Sequence, residues 1–478
     1  MGFHKNSPKS SPRNSPRNSP RRFKSIASTL KDLFDIDSTS GNNTGGGGGG
    51  SSSPGTSRQA SSGSEYEEIL STIAQCSTVF TFIDPSESPT QQDHKQLKLI
   101  QLLSYLKSLN QTIPEAVLSP LVSMLAANLF RPLYPSSCNH FNGDFPDDEE
   151  VSSTFLPAWP HLQTVHNILL RLVTSSDPRL LQSHIDQAFL VNLLALFQSE
   201  DPRERDSLKN VYHRIYSRFT FHRGFMRKSM NDAFLRYIFE TERHCGVAEM
   251  LEIWGSIING FTVPLKEEHR MFLMRVLIPL HKTKAMQAYH KQLAYCVNQF
   301  VHKEPILGGT VVRGILKYWP VTNCQKEVLL IGELEELVDN IDPDQYRRLA
   351  LPLCTQITRC LNSWNSQVAE RALYVWNNEL FVKMAMTAME DVFPVMVEGM
   401  EKNLRCHWSK SVKQLTENVK AMLEEMEPNL YERCLQEMYH KEFVAKQDEV
   451  KRKAKWERIE LEAAKNLHLQ PRHNCIRV

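Results

Sequence analysis

No apolar run in this sequence approaches the ~20 residues that a membrane span needs. Its ten cysteines form no C-x-x-C pair and no regular spacing. That excludes the ligand pattern of a structural zinc site, and the cysteines read as small buried hydrophobes in a reducing compartment. Catalytic signatures are missing as well. There is no G-x-S-x-G elbow, no H-E-x-x-H pair and no kinase catalytic loop. Nor are there Asp/His/Asn clusters on Gly-flanked loops of the sort that hold paired metals in phosphatases. The glycine run in "GNNTGGGGGGSSSPG" lacks the Gly-Lys-Ser/Thr ending that makes a phosphate loop. Alternating period-2 strands with hairpin turns are absent. The N-terminus is polar and Pro-rich, unlike a secretory signal, and Asn6 stands where myristoylation needs Ser or Thr. These absences predict a soluble intracellular protein, cytoplasmic or nuclear, with no metal, no cofactor and no catalytic activity of its own.

What is present is length, helical periodicity and an uneven charge. The 478 residues are 41% hydrophobic, enough for a sizeable core, and carry a formal net charge of +2. Residues 1–64 hold nine Lys/Arg and three Asp, and residues 441–478 hold ten Lys/Arg and six Asp/Glu. The intervening 65–440 therefore carries −8. A nucleic-acid-binding body is normally basic, and this one is acidic between basic ends. The first 64 residues repeat Ser-Pro at Ser7, Ser11, Ser15 and Ser19 beside Arg and Lys, which suits proline-directed kinases. Such a composition cannot bury enough apolar surface to offset chain entropy, so a disordered tail is expected, with one amphipathic island at Phe23–Phe34.

From about Glu65 the pattern is helical throughout. Leu99, Leu102, Leu103 and Leu106 fall at i, i+3, i+4, i+7, and Leu162, Val165, Leu169 and Leu172 lie at similar spacing. An apolar-Pro-apolar element recurs at Pro120, Pro279, Pro352 and Pro394. The last three are 73 and 42 residues apart, which fits two and one units of a helical-pair repeat of ~40 residues. The predicted fold is all-α: a HEAT-like solenoid of about eight repeats over 65–440, which leaves one long concave face. Residues 441–478 read as a charged helix and tail, in which "KRKAK" (Lys451–Lys455) fits a solvated face better than a short nuclear-import signal.

One stretch stands out. "VYHRIYSRFTFHR" (Val211–Arg223) interleaves basic and aromatic side chains. As a single helix it would set His213, Tyr216, Thr220, Arg223 and Arg227 on one stripe. Downstream, Ile253 and Ile257 are i, i+4. After an Asn259-Gly260 break, Pro264 is expected to open a helix with Lys266 and His269 at i, i+3. Adjacent repeats would then bring apolar pockets between cations, a groove for an extended peptide of alternating aliphatic and acidic residues. Taken alone, Ile253 and Ile257 are equally well read as plain core.

Five blocks carry a family resemblance: "EDPRERDSLKNVYHRIYSRF", "ETERHCGVAEMLEIWGSIINGFTVPLKEEH", "LIPLHKTKAMQAYHKQLAYC", "LKYWP" and "SQVAERALYVWNNE". In order and content they resemble the B-prime regulatory subunits of protein phosphatase 2A, over about Glu65 to Lys465. The Ser-Pro tail and the "VYHRIY" and "EIWGS" details point to a plant-type member. The resemblance implies a substrate-selecting subunit in a three-part holoenzyme, with a HEAT-repeat scaffold (A) subunit and a catalytic (C) subunit. It also implies a groove for L-x-x-I-x-E peptides built from His213, Arg214, Tyr216, Arg223, Glu252, Ile253, Ile257, Lys266 and His269. Tyr216, Ile253 and Ile257 would form the Leu and Ile pockets, and Arg223, Lys266 and His269 would receive the acid. His213 and Arg214 would favour a phosphate or carboxylate near the second position. The loop "DFPDDEE", with Asp147, Asp148, Glu149 and Glu150, would face the catalytic subunit. A nuclear-transport adaptor is the rival helical-repeat reading, but it would need an acidic groove for basic signals. A repeat RNA reader would need a basic body.

Overall fold

The computed structural model describes residues 59–80, 82, 88–108, 113–133 and 156–469. The Ser-Pro serines and the acidic loop at Asp147–Glu150 lie outside them. Among the described residues there is no strand, and no helix is long and apolar enough to cross a membrane. The principal helices are α1 (Gln59–Cys76), α2 (Pro89–Ser108), α3 (Glu115–Leu129), α4 (Trp159–Ser175), α5 (Gln187–Ala195), α6 (Pro202–Arg218), α7 (Arg223–Arg236), α8 (Val247–Asn259) and α9 (Glu267–Phe272). They continue as α10 (Met286–Lys303), α11 (Gly308–Lys317), α12 (Cys324–Val338), α13 (Tyr346–Leu361), α14 (Ser366–Tyr374), α15 (Glu379–Met386), α16 (Met389–Cys406), α17 (Lys410–Met426) and α18 (Pro428–Leu469).

Packing sorts them into two rows. In the first, α2, α4, α6, α8, α10, α12, α14 and α17 each lie against the next. From α6 to α17 they begin at residues 202, 247, 286, 324, 366 and 410, a step of about 40 residues, as expected of paired-helix repeats. The second row includes the runs α5 on α7 and α11 on α13 on α16 on α18. Pro120, Pro352 and Pro394 lie inside α3, α13 and α16, and Pro279 sits in a single turn at Ile278–Leu280. Between the rows runs one continuous apolar core, including Leu99, Leu102, Leu106, Val165, Leu169 and Leu172. Burying each such side chain contributes about 1.5–3 kcal/mol, so the inter-row seam is where the fold's stability resides.

Sequence chemistry sets the helix starts. Asp201, Asn323, Asn365, Asn378 and Ser409 are N-caps whose side chains accept from backbone N–H groups of the first turn. Gly255 serves close approach. A Cβ there would lie 3.0 Å from the Tyr295 ring on α10, against which α8 packs. Two expectations are corrected. The C-terminal helix starts at Pro428 and seats Tyr431, Cys434 and Met438 in the core before its exposed charged half, so no element boundary falls at 441. Most of the described cysteines are buried thiols, but Cys245 is disulfide-bonded.

Candidate functional site

The first row is tied together by polar contacts between residues one repeat apart. On α6 the buried face is Leu208, Val211, Tyr212 and Ile215. The next face, Arg205, Lys209 and His213, repeats every four residues towards α8. Arg205 Nε donates to Glu249 Oε1 at 2.8 Å, Lys209 Nζ to Glu252 Oε2 at 2.7 Å, and His213 Nε2 lies 2.8 Å from Ser256 Oγ. From the other side, Gln292 of α10 donates to Glu252 Oε1 at 3.0 Å. One turn beyond these rungs, where α8 ends at Asn259 and the chain turns at Gly260, the two helices part.

The gap is a cavity of about 370 Å³. His213, Tyr216 and Ser217 of α6 line one wall, Arg223 and Arg227 of α7 another, and Ser256, Ile257, Gly260 and Phe261 the floor. Lys266, Glu268 and His269 close it. The corner between α6 and α7 makes this possible. The chain does not continue as one helix through 211–227, as its periodicity predicts. It leaves α6 at Phe219 (φ −94, ψ 73), which is wholly buried, and passes through a 3-10 turn, Thr220–His222, before α7 begins at Arg223. Arg223 therefore folds back on the end of α6. Its Nε donates to Tyr216 O at 2.9 Å and its Nη2 to Ser217 O at 2.8 Å, and the guanidinium lies 5.4 Å from the Tyr216 ring centre. A cation here satisfies carbonyls that a helix C-terminus leaves orphaned and complements its dipole.

Arg227 and His269 are held by one carboxylate. Arg227 Nη1 donates to Tyr216 OH at 3.2 Å and its Nη2 to Glu268 Oε1 at 3.4 Å, while His269 Nε2 lies 3.2 Å from that same oxygen. His269 stacks flat on Phe261, with centroids 3.6 Å apart. Burial lowers the His269 pKa below its ordinary value; the charge of Glu268 opposes this and those of Arg227 and Lys266 add to it. Burial likewise lowers His213, helped by Arg214 and Lys209. Both rings are thus biased towards the neutral form. The cavity offers an apolar floor, fixed guanidinium groups and one exposed ammonium, Lys266. It suits an apolar side chain followed closely by a carboxylate.

Of the nine residues expected to form a peptide groove, His213, Tyr216, Arg223, Ile257, Lys266 and His269 line this cavity. Ile253, one turn back on α8, is buried and is not part of the lining. Glu252 serves as a rung between Lys209 and Gln292, and Arg214 is exposed outside the cavity. Lys266 and His269 are juxtaposed as expected, although the helix opens at Glu267 with Lys266 as its N-cap. Sequence reasoning did not assign Phe261 and Glu268. Arg227 was on the expected stripe, but its pairing with Glu268 was not legible.

Over most of its length the chain is similar in sequence to known proteins. The family described as protein phosphatase 2A regulatory B subunit (B56 family) matches residues 54–463. The chain belongs to that family. Among curated proteins it is similar to the B' eta isoform of the 59 kDa regulatory subunit of serine/threonine protein phosphatase 2A from Arabidopsis thaliana. That likeness is 47% identity over 387 residues, 80% of this chain and 76% of the relative. The 57 kDa B' theta isoform of the same plant is 45% identical over 390 residues, covering 81% and 79%. The B' kappa isoform of Oryza sativa subsp. japonica is 42% identical over 397 residues, covering 83% and 78%. These relatives are regulatory subunits, and membership of their family makes this chain a regulator rather than a catalyst.

Proposed function

We propose that this chain selects substrates for a protein phosphatase 2A holoenzyme by holding L-x-x-I-x-E-type peptides in the cavity between α6, α7, α8 and α9. The carrying observation is the convergence there of Tyr216 and Ile257 with Arg223, Lys266 and His269. The peptide's apolar side chains rest on Ile257 and Tyr216, and its carboxylate meets Arg223, Lys266 and His269, whose ring takes up a proton on binding. Arg214, exposed and outside the cavity lining, and His213 favour a phosphate near the peptide's second position. In this reading the chain also binds the scaffold (A) and catalytic (C) subunits. The acidic residues Asp147, Asp148, Glu149 and Glu150 face the catalytic subunit, and Ser7, Ser11, Ser15 and Ser19 take phosphate from proline-directed kinases. It works in the cytoplasm, the nucleus or both. Catalysis comes from proximity. A tethered phosphosite reaches a local concentration towards millimolar on a short flexible linker. Cations around an apolar floor also argue against cargo signals rich in Lys and Arg, which a transport adaptor would carry.

The test is a paired pull-down with the full chain. Bait peptides carrying L-x-x-I-x-E should retain it, alanine at the Leu, Ile and Glu positions should release it, and scaffold capture should be indifferent to the peptide. Retention that ignores those three positions would overturn the peptide reading, and failure to capture the scaffold would overturn the holoenzyme reading.

A further inference from the structure

A second cavity, of about 490 Å³, adjoins the first and shares Arg227, Glu268 and His269 with it. Its chemistry differs. Leu235, Trp254, Met271 and Phe272 line it, with the Trp254 and Phe272 rings stacked at 3.8 Å. Lys228 and Arg275 stand exposed on the lining. Trp254 is 3% exposed, and its indole N–H, which can only donate, is buried without a hydrogen-bond partner. The rungs between α6 and α8 do not reach this cavity, and no other part of the described chain fills it.

We infer that this second cavity is a further specificity pocket for the same bound peptide, accepting a bulky apolar or aromatic side chain just beyond the peptide's carboxylate. The inference rests on the reading of the first cavity under Proposed function. Continuity sets the order of the subsites. The carboxylate is met by Arg223, Lys266 and His269, and His269 is also a wall of the second cavity. A chain that has delivered its acid to His269 therefore steps directly onto the Trp254–Phe272 floor. The cations decide what the next residue tolerates: Arg227, Lys228 and Arg275 disfavour a lysine there and accept an acidic neighbour.

Gly224 supplies the test. It also lines the second cavity but not the first, and a Cβ built on it meets nothing within 4 Å. Gly224→Phe would project a ring into that cavity without a clash at Cβ, and helix α7 loses nothing by exchanging its glycine. A core L-x-x-I-x-E peptide is compared by fluorescence anisotropy with the same peptide extended by Phe-Asp, by Gly-Gly or by Phe-Lys. The Phe-Asp peptide should bind about tenfold more tightly than the Gly-Gly one, or about 1.4 kcal/mol. Gly224→Phe should abolish that gain and leave the core peptide unchanged, whereas Gly224→Ala should keep it. Lys228→Glu, at an exposed position, should reduce the gain of Phe-Asp and reverse the penalty of Phe-Lys. Equal binding of the Phe-Asp and Gly-Gly peptides, or a gain that survives Gly224→Phe, overturns the second pocket while leaving the first intact. If the core peptide itself does not bind, the first cavity has been misread, and this inference falls with it.

Discussion

Replacing Lys266 by glutamate isolates the electrostatic contribution of the cavity from its structural role. The Lys266 side chain is exposed and makes no capping hydrogen bond. What the residue gives helix α9 is its backbone carbonyl, which accepts from His269 N at 3.0 Å and Arg270 N at 3.2 Å, and any residue provides that. Arg223 is different, because its guanidinium also satisfies the carbonyls of Tyr216 and Ser217. Losing a hydrogen bond to a charged group costs about 1.5–3 kcal/mol, and a like charge facing the peptide's carboxylate adds repulsion. Micromolar binding corresponds to about −8.2 kcal/mol, so either Lys266→Glu or Arg223→Glu should weaken a core peptide more than about tenfold. Only Arg223→Glu should also loosen the corner, because it frees two carbonyls and sets an anion at the end of α6. Anisotropy titration reads the binding, and hydrogen exchange over 216–222 reads the corner. Both variants should lose the peptide, and only Arg223→Glu should exchange faster. If Lys266→Glu binds within about twofold of the parent, the peptide's carboxylate does not lie in this cavity and the assignment of its cations is wrong.

Peptide affinity should rise as pH falls below the ordinary histidine range. Burial holds His269 below its usual pKa in the free protein, a bound carboxylate raises it, and binding therefore takes up a proton. Calorimetry in buffers of different ionisation enthalpy would read that uptake, and none at any pH would refute it. Glu268→Gln should strengthen binding a few-fold, since the carboxylate that occupies Arg227 and His269 competes with the peptide's own. Weaker binding would show that Glu268 positions those cations instead. In the body, Glu333 is 4% exposed and accepts from His281 at 3.1 Å and His290 at 2.9 Å. Burial works against both charges, but the His281 charge brings Glu333 down to about 2 and that of Glu333 raises His281. The Glu333 share of stability is thus present above about pH 4.5 and is lost as pH falls towards 2. The His281 share is present below about pH 6.5 and is lost as pH rises through its folded pKa. Glu333→Gln should cost about 3 kcal/mol in urea unfolding at about pH 5.5 and less at about pH 8. A cost that does not change with pH would show that the pair is not ionised.

Much of this was legible in the residues because helix packing repeats. Leu99, Leu102 and Leu106 announce a buried stripe by spacing alone, and the step of about 40 residues follows from helices of this length joined by short turns. Six of the nine residues expected to form a groove line one cavity, but its geometry was not legible. Nothing in "SRFTFHRGF" breaks helical periodicity before Gly224. The corner at Phe219 comes from burying that ring completely and from Arg223 satisfying the last carbonyls of α6, both tertiary effects. Ile253 and Ile257 show the same limit. Their i, i+4 spacing puts them on one face, but only the later one reaches the point where α6 and α8 part. Glu252 looks like a ligand-facing carboxylate until the chain positions Lys209 and Gln292 on either side of it.

Those rungs have a mechanical consequence. Each joins a helix only to its neighbour, as Lys209 and Gln292 do on the two sides of Glu252, so the first row is a series of springs and not a rigid bar. A load applied at one end is shared out as a small rotation at every joint, and no single joint has to break. A peptide bound as proposed between α6, α7 and α9 would stiffen its own joint and leave the rest compliant. On the proposed substrate-selecting reading, the cargo would then be held by a handle that can swing, and a phosphosite at a variable distance along a substrate could still be brought within reach.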